Sequence, residues 1–289
     1  AHPETYATTM QRKELLMIFE KPSLRTRVSF EAGMSQMGGH AIYYDTSTSP
    51  FGAGKETIHD MIKVAGRFVD LIMARLFEHA HMEEMAEHSD VPVINALTNF
   101  AHPCQILADF LTIREKKGRL EGLKLAYLGD ACNNVTHSLM YGCARTGMQL
   151  AIGCPDDEAF RPLPDVLRQA EATASLSGAG ITVTADAMEA ARDADMVYAD
   201  SWMSYHIPRE ELDKRVSILS PYQVNADVMA HAGPDAMFMN CLPAARGYEQ
   251  TAEVIDGPQS VVFDQAENRL HAQKAIMIQL LEDTGASGA

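Results

Sequence analysis

Short apolar runs punctuate this chain at nearly regular intervals. Leu15 to Phe19 (LLMIF), Ala41 to Tyr44, Leu71 to Ala74 and Val91 to Ile94 are each followed by turn-forming or polar residues, with helical patterning between them. Such alternation predicts an α/β half built on a parallel sheet. After the charged, glycine-bearing stretch from Arg114 to Gly122 the alternation restarts. Runs at 123–128, 150–153, 181–184, 196–199, 237–239 and 260–263 predict a second α/β half.

The segment from His102 to Lys116 predicts the helix that joins the halves. Pro103 suits a first helical position, and Ile106, Leu107, Phe110 and Leu111 share one face. A last helix is predicted over Ala266 to Glu282, ahead of a tail of small residues. The expected fold class is therefore α/β, two doubly wound parallel-sheet domains. Residues 1–114 form the first and 115–265 the second. Ligands of doubly wound sheets sit at the carboxyl ends of strands, so a cleft between the halves is expected to hold the site.

Composition narrows the function. At 289 residues, 46% hydrophobic and 22% charged, the chain has the make-up of a globular protein. Its formal net charge of −15 argues against a nucleic-acid groove, which needs a basic face. No apolar stretch approaches the ~20 residues that cross a bilayer, and the first ten residues lack a signal pattern, so a cytoplasmic protein without a membrane partner is expected. Five widely spaced cysteines, Cys104, Cys132, Cys143, Cys154 and Cys241, without a Cys-x-x-Cys pair, suggest neither a disulfide framework nor a zinc knuckle. In so acidic a chain, any anionic substrate must be met by a local basic cluster.

One such cluster follows the first predicted strand. In FEKPSLRTRVSF (Phe19 to Phe30) a strand runs into Pro22-Ser23, and a helix then begins with Arg25, Thr26 and Arg27. Backbone N–H groups at a helix start, two hydroxyls and a guanidinium able to bond two oxygens suit a phosphate dianion. Taken alone, the same motif describes a capped surface helix with solvated arginines equally well. A second candidate, His79, His81, Glu84 and His88, could suggest a metal, but without His-Glu-x-x-His spacing it reads as a solvated helical face and no metal is assigned. Beyond the strand ending at Leu128, the stretch Gly129 to Asn134 lacks the glycine fingerprint of a dinucleotide site, which disfavours a nicotinamide-dependent dehydrogenase.

Four motifs appear in order: Ser-x-Arg-Thr-Arg after a strand, His102-Pro103-Cys104-Gln105, Asn240-Cys241-Leu242-Pro243 and Glu267-Asn268-Arg269. Together they make the chain resemble the aspartate and ornithine carbamoyltransferases, most closely the ornithine branch, from about Leu15 to Leu281. The resemblance implies transfer of the carbamoyl group of carbamoyl phosphate to the side-chain amine of ornithine, without a cofactor or metal. It places Ser23, the backbone of Leu24, Arg25 and Thr26 on the phosphate, with Arg27 as an ion-pair partner. Arg75 and His102 would stabilise the oxyanion formed by amine attack. Gln105 would hold the carbamoyl amide and Arg269 add a second guanidinium. For the acceptor it implies Asn134 on the carboxylate and Asp200 on the α-amino group, with Ser204 and Tyr205 lining the site and Cys241 and Leu242 touching both substrates. Taken alone, Cys241 reads more simply as a small buried hydrophobe, and no nucleophilic role is assigned to it. The resemblance also implies a homotrimer or a multiple of one, with Lys55 reaching a neighbouring subunit's site. It further implies a last helix that packs back on the first domain, and a further helix and loop ahead of the first strand.

The chain departs from the family pattern at three places. Ser204-Tyr205-His206 stands where the ornithine enzymes carry Ser-Met-Gly, Asn240 replaces a histidine, and Leu24 replaces a threonine. These changes leave three readings open: an ornithine enzyme with a variant lid, a transferase for another amine such as putrescine, or a weakened paralogue that binds or regulates.

Overall fold

The alternation read from the sequence becomes two sheets, each made of parallel strands, in a computed structural model that describes residues 3–204 and 207–284. The chain divides into two compact units, Ala1–Ala108 with Glu267–Ala289, and Asp109–Ala266.

The first unit contains β1 (Glu14–Phe19), α1 (Leu24–Gln36), β2 (His40–Asp45), α2 (Ile58–Ala65), β3 (Leu71–Arg75), α3 (His79–His88) and β4 (Val93–Leu97), and the chain leaves it within α4 (Pro103–Lys117). Its strands are ordered β2-β1-β3-β4. Because side chains alternate across a strand, β1 and β3 feed both faces of this sheet. Leu15, Met17, Phe19, Leu71 and Met73 pack with Phe30 and Met34 of α1, while Ile18, Ile72 and Ala74 pack with Ile62 of α2 and Met82 and Met85 of α3.

The second unit contains β5 (Lys124–Leu128), α5 (Asn134–Thr146), β6 (Gln149–Gly153), α6 (Pro164–Ser177), β7 (Gly180–Thr184), α7 (Ala187–Ala191), β8 (Met196–Ala199), α8 (Leu212–Leu219), α9 (Ala226–His231), β9 (Met237–Met239) and α10 (Ala252–Ile255). Its sheet order is β7-β6-β5-β8-β9. Val197, Ala199, Phe238 and Leu128 pack on one face with Ala190 and Ala191 of α7, Val228 and Met229 of α9 and Val254 and Ile255 of α10. Inside this unit Asp109 of α4, fully buried, accepts hydrogen bonds from Tyr198 Oη at 3.0 Å and Gln265 Nε2 at 2.7 Å.

The last helix, α11 (Val262–Asp283), begins in the second unit and returns to the first, where Met277 and Leu281 join the core formed by β1, β3 and α1. Gly33 of α1 faces it: a Cβ there would lie 3.4 Å from both Lys274 and Met277 side chains, so the two helices approach closely at that point.

One strand expectation fails. Ser260 to Phe263 is not a strand: Ser260 makes an isolated bridge to Phe238, and α11 starts at Val262. Three apolar residues in a row are too few to separate a period of 2 from one of 3.6. The fourth strand is also displaced, running over Val93–Leu97 where the sequence suggested Val91 to Ile94.

Candidate active site

Each sheet has one place where the strand order reverses, and Ser23 to Thr26, Arg75, Asn134 and Asp200 lie at or just beyond the carboxyl ends of the strands flanking those places. In the first unit the reversal lies between β1 and β3, which end at Phe19 and Arg75. In the second it lies between β5 and β8, which lead into Gly129 to Asn134 and into Asp200. Crevices at such switch points are where open α/β sheets bind ligands.

In the first unit, Ser23 caps α1 by accepting from the Thr26 N–H at 3.2 Å, so the helix start is fixed by the serine of the Ser-x-Arg-Thr-Arg motif. Leu24 is mostly exposed at the first helical position. Thr26 is fully buried, and its hydroxyl accepts from Arg269 Nη2 at 3.3 Å. Arg269 Nη1 donates to Gln105 Oε1 at 2.7 Å. The Gln273 amide, oriented with its oxygen toward the same guanidinium, accepts from Nε at 3.2 Å and Nη2 at 2.9 Å. Arg27 turns away from this cluster: it pairs with Glu31 at 2.9 Å and lies 3.9 Å over the Tyr43 ring.

Arg75, His102 and Gln105 are all buried. Burial, together with the positive charges of Arg269, Arg75, Arg25 and Lys21, holds the His102 imidazole well below its ordinary range, so it is neutral. A neutral imidazole can donate to a growing oxyanion without adding a fifth positive charge to the cluster.

Lys21 is a member of this cluster that sequence reasoning missed. Its side chain is only 4% exposed, with Nζ 4.3 Å from the centre of the Phe77 ring. Burial first, then the neighbouring charge of Arg75, lower its pKa to about 8, against the opposing pull of Glu20 and Glu78. Its signal was present in FEKPS, but nothing in the sequence told a buried lysine from a solvated one. Lys55 lies exposed in the turns ahead of α2, its N–H donating to Pro50. Of the histidine-rich segment, His79 meets the Thr98 hydroxyl at 2.9 Å and the His88 ring meets His59 edge-on.

In the second unit, Asn133 and Asn134 divide their work. Asn133 caps α5, accepting from the Thr136 N–H at 2.9 Å and donating to Tyr127 Oη at 2.8 Å and to the Asp130 carbonyl at 2.5 Å. Asn134 occupies the first helical position, half-buried. Asp200, 9% exposed, accepts from the Cys241 thiol at 3.1 Å, which unites two predicted residues. Burial raises the Asp200 carboxyl above its ordinary range, opposed in part by that thiol. Asn240 holds the turn that presents them: its Oδ1 accepts from the Leu242 N–H at 2.8 Å and its Nδ2 donates to Gln250 at 3.2 Å. Leu242 sits at φ +54°, a left-handed conformation that a leucine adopts only when its surroundings impose it, and its bond to Pro243 is cis. Ser204 is half-buried, whereas Tyr205 and His206 lie outside the described residues.

Residues 1–115 match the family model described as aspartate/ornithine carbamoyltransferase, carbamoyl-P binding domain, and residues 121–280 match its companion, the Asp/Orn binding domain. This chain belongs to the aspartate/ornithine carbamoyltransferase family. Among relatives in that family, the ornithine carbamoyltransferase of Bacillus subtilis is 51% identical over 269 residues, covering 93% of this chain and 83% of the relative. The ornithine carbamoyltransferase of Pyrococcus furiosus has a solved structure that superposes with a TM-score of 0.89 at 48% identity, covering 93% of this chain and 85% of that one. That of Giardia lamblia superposes with a TM-score of 0.89 at 43% identity, covering 97% and 90%.

Proposed function

We propose that this protein transfers the carbamoyl group of carbamoyl phosphate to the side-chain amine of ornithine, giving citrulline and phosphate. The observation that carries this reading is the buried convergence of Lys21, Arg75, Gln105 and Arg269 around a neutral His102, beside a helix start capped by Ser23. Identities near 50% to ornithine carbamoyltransferases support the choice of acceptor.

In this reading, Ser23, the Leu24 N–H, Arg25 and Thr26 hold the phosphate, where a helix start and a guanidinium complement a dianion. Arg269 and Gln105 act as a pair: the guanidinium orients the amide, whose oxygen keeps a second lone pair for the carbamoyl NH₂. Arg75 and His102 donate to the carbonyl oxygen as it becomes an oxyanion. Asn134 takes the carboxylate of ornithine and Asp200 its α-amino group, while Cys241 and Leu242 line the path of the reacting amine. That amine must be neutral to attack, and with a lysine-like pKa near ~10.4 only about one molecule in a thousand is so at neutral pH. The rate therefore rises with pH. The departing phosphate takes the proton, so no protein base is required.

The assembly is proposed to be a homotrimer in the cytoplasm, with Lys55 contributed to a neighbouring subunit's site; among the described residues no helix is long and apolar enough to cross a membrane. The test is amine-dependent release of phosphate from carbamoyl phosphate. The unaltered protein should show it, and Arg25→Ala should abolish it. Carbamoyl phosphate binding without turnover would instead mark a binding or regulatory paralogue.

A further inference from the structure

The peptide groups flanking Trp202 are held by two side chains of opposite charge. The Trp202 N–H donates to Glu249 Oε1 at 3.1 Å, and its carbonyl accepts from Arg215 Nε at 2.6 Å. The second oxygen of Glu249 accepts from the Ala245 N–H at 3.0 Å. Arg215 also pairs with Asp130 and lies 5.0 Å over the Phe160 ring. Glu249 thereby ties the segment from Asp200 to Ser204 to the loop that follows Leu242-Pro243. Arg215 ties the same segment to the Asp130 turn that opens α5.

A carboxylate here is costly, because Glu249 is only 3% exposed and Trp202 only 2%. Packing alone would be served better by an apolar side chain. What a carboxylate supplies is two acceptors for two backbone donors, a match that an amide cannot make: its one oxygen satisfies one N–H and its NH₂ then faces the other. The neighbouring Ser201 hydroxyl closes a local turn with Met203, accepting from its N–H and donating to its carbonyl, both at 3.1 Å, so the segment has few remaining freedoms.

We propose that Glu249, opposed by Arg215, is a positioning residue for acceptor recognition. It fixes Trp202 so that Asp200 and Ser204, two residues to either side, keep the geometry that reads the amino-acid end of the acceptor, while Arg215 fixes the Asp130 turn beside Asn134. The identity of that acceptor rests on the proposed function; the clamp itself rests on the hydrogen bonds.

Trp202 is the only tryptophan in the chain, so intrinsic fluorescence reads the clamped residue directly. In Glu249→Gln, and in Arg215→Lys as a second variant in case the first does not fold, tryptophan emission should shift to the red and acrylamide quenching should increase. The KM for ornithine should rise about tenfold while the KM for carbamoyl phosphate stays within about twofold, as expected for one buried donor left without an acceptor. Unchanged emission and quenching with an unchanged KM for ornithine would overturn the proposal, and so would an equal rise in both KM values. Failure of the unaltered protein to make citrulline would sink the proposed function instead, and the fluorescence comparison would then decide the clamp alone.

Discussion

Arg269 donates to Gln105 at 2.7 Å across 164 residues of sequence. The contact exists because α11 returns to the first unit and lays Met277 and Leu281 against the β1 and β3 core, which brings Arg269, 2% exposed, to the start of α4. A guanidinium so deeply buried is held by its acceptors, Gln105 and Thr26, and by Gln273 oriented toward it.

Arg269→Met should therefore leave three buried acceptors, on Gln105, Thr26 and Gln273, without their cation. We expect kcat/KM for carbamoyl phosphate to fall by about two orders of magnitude, the scale of losing charged hydrogen bonds in a buried site. Steady-state kinetics with ornithine saturating would measure it; a loss confined to the KM for ornithine would contradict the assigned role.

Lys21 predicts a pH dependence of its own. Its pKa of about 8 means that its charge is present below that pH and lost above it. The KM for carbamoyl phosphate should rise as pH passes through 8 in the unaltered protein and stay flat in Lys21→Met. This trend opposes that of the amine, whose neutral fraction grows with pH, so the two can be separated by varying each substrate in turn.

His102 is linked to stability with a defined sign. Its folded pKa is depressed, so folding excludes a proton that the unfolded chain accepts below an ordinary value of about 6.5. Stability should be full above that pH and fall as pH drops below it. His102→Gln should lose that limb, as judged by thermal melting of both proteins from neutral to mildly acidic pH.

Asp200 has the opposite linkage. Burial raises its folded pKa, so ionisation costs stability once pH rises above the ordinary carboxylate range of about 4. Asp200→Asn, which keeps an acceptor for the Cys241 thiol, should melt higher than its parent at neutral pH, with the difference closing toward pH ~4. The same change should remove saturation by ornithine. A variant less stable than its parent at neutral pH would count against a buried, ionised Asp200.

Gly129 stands at φ +127°, and a Cβ there would come 3.1 Å from Trp202 Nε1. Gly129→Ala should cost about 1–3 kcal/mol through backbone strain. Chemical denaturation followed by the fluorescence of Trp202 would measure it.

Much of this molecule was legible in its sequence, for identifiable reasons. Strands buried on both faces appear as continuous apolar runs, which is why β1, β3, β5 and β8 could be read from the order of residues along the chain. The capped helix start was legible because Ser23 and Thr26 act locally, within one helical turn. Ser260 to Phe263 was misread because β-branched apolar residues suit a strand and a helix start alike over so short a run. Glu249 and Arg215 were invisible because their function lies in which backbone groups they reach, 47 residues away from Trp202 in one case and 13 in the other. Asn134 was singled out in the sequence, but only the structure assigned the helix cap to its neighbour Asn133.

The most direct test of the account is citrulline formation from carbamoyl phosphate and ornithine, run beside putrescine, lysine and acetylornithine at about pH 7.5 and about pH 8.5, where the neutral amine differs by close to tenfold. We predict a clear preference for ornithine and a higher rate at the higher pH. Preference for another amine, or no turnover with any, would contradict the proposed function and make Ser204-Tyr205-His206 the point at which this chain diverged from its relatives.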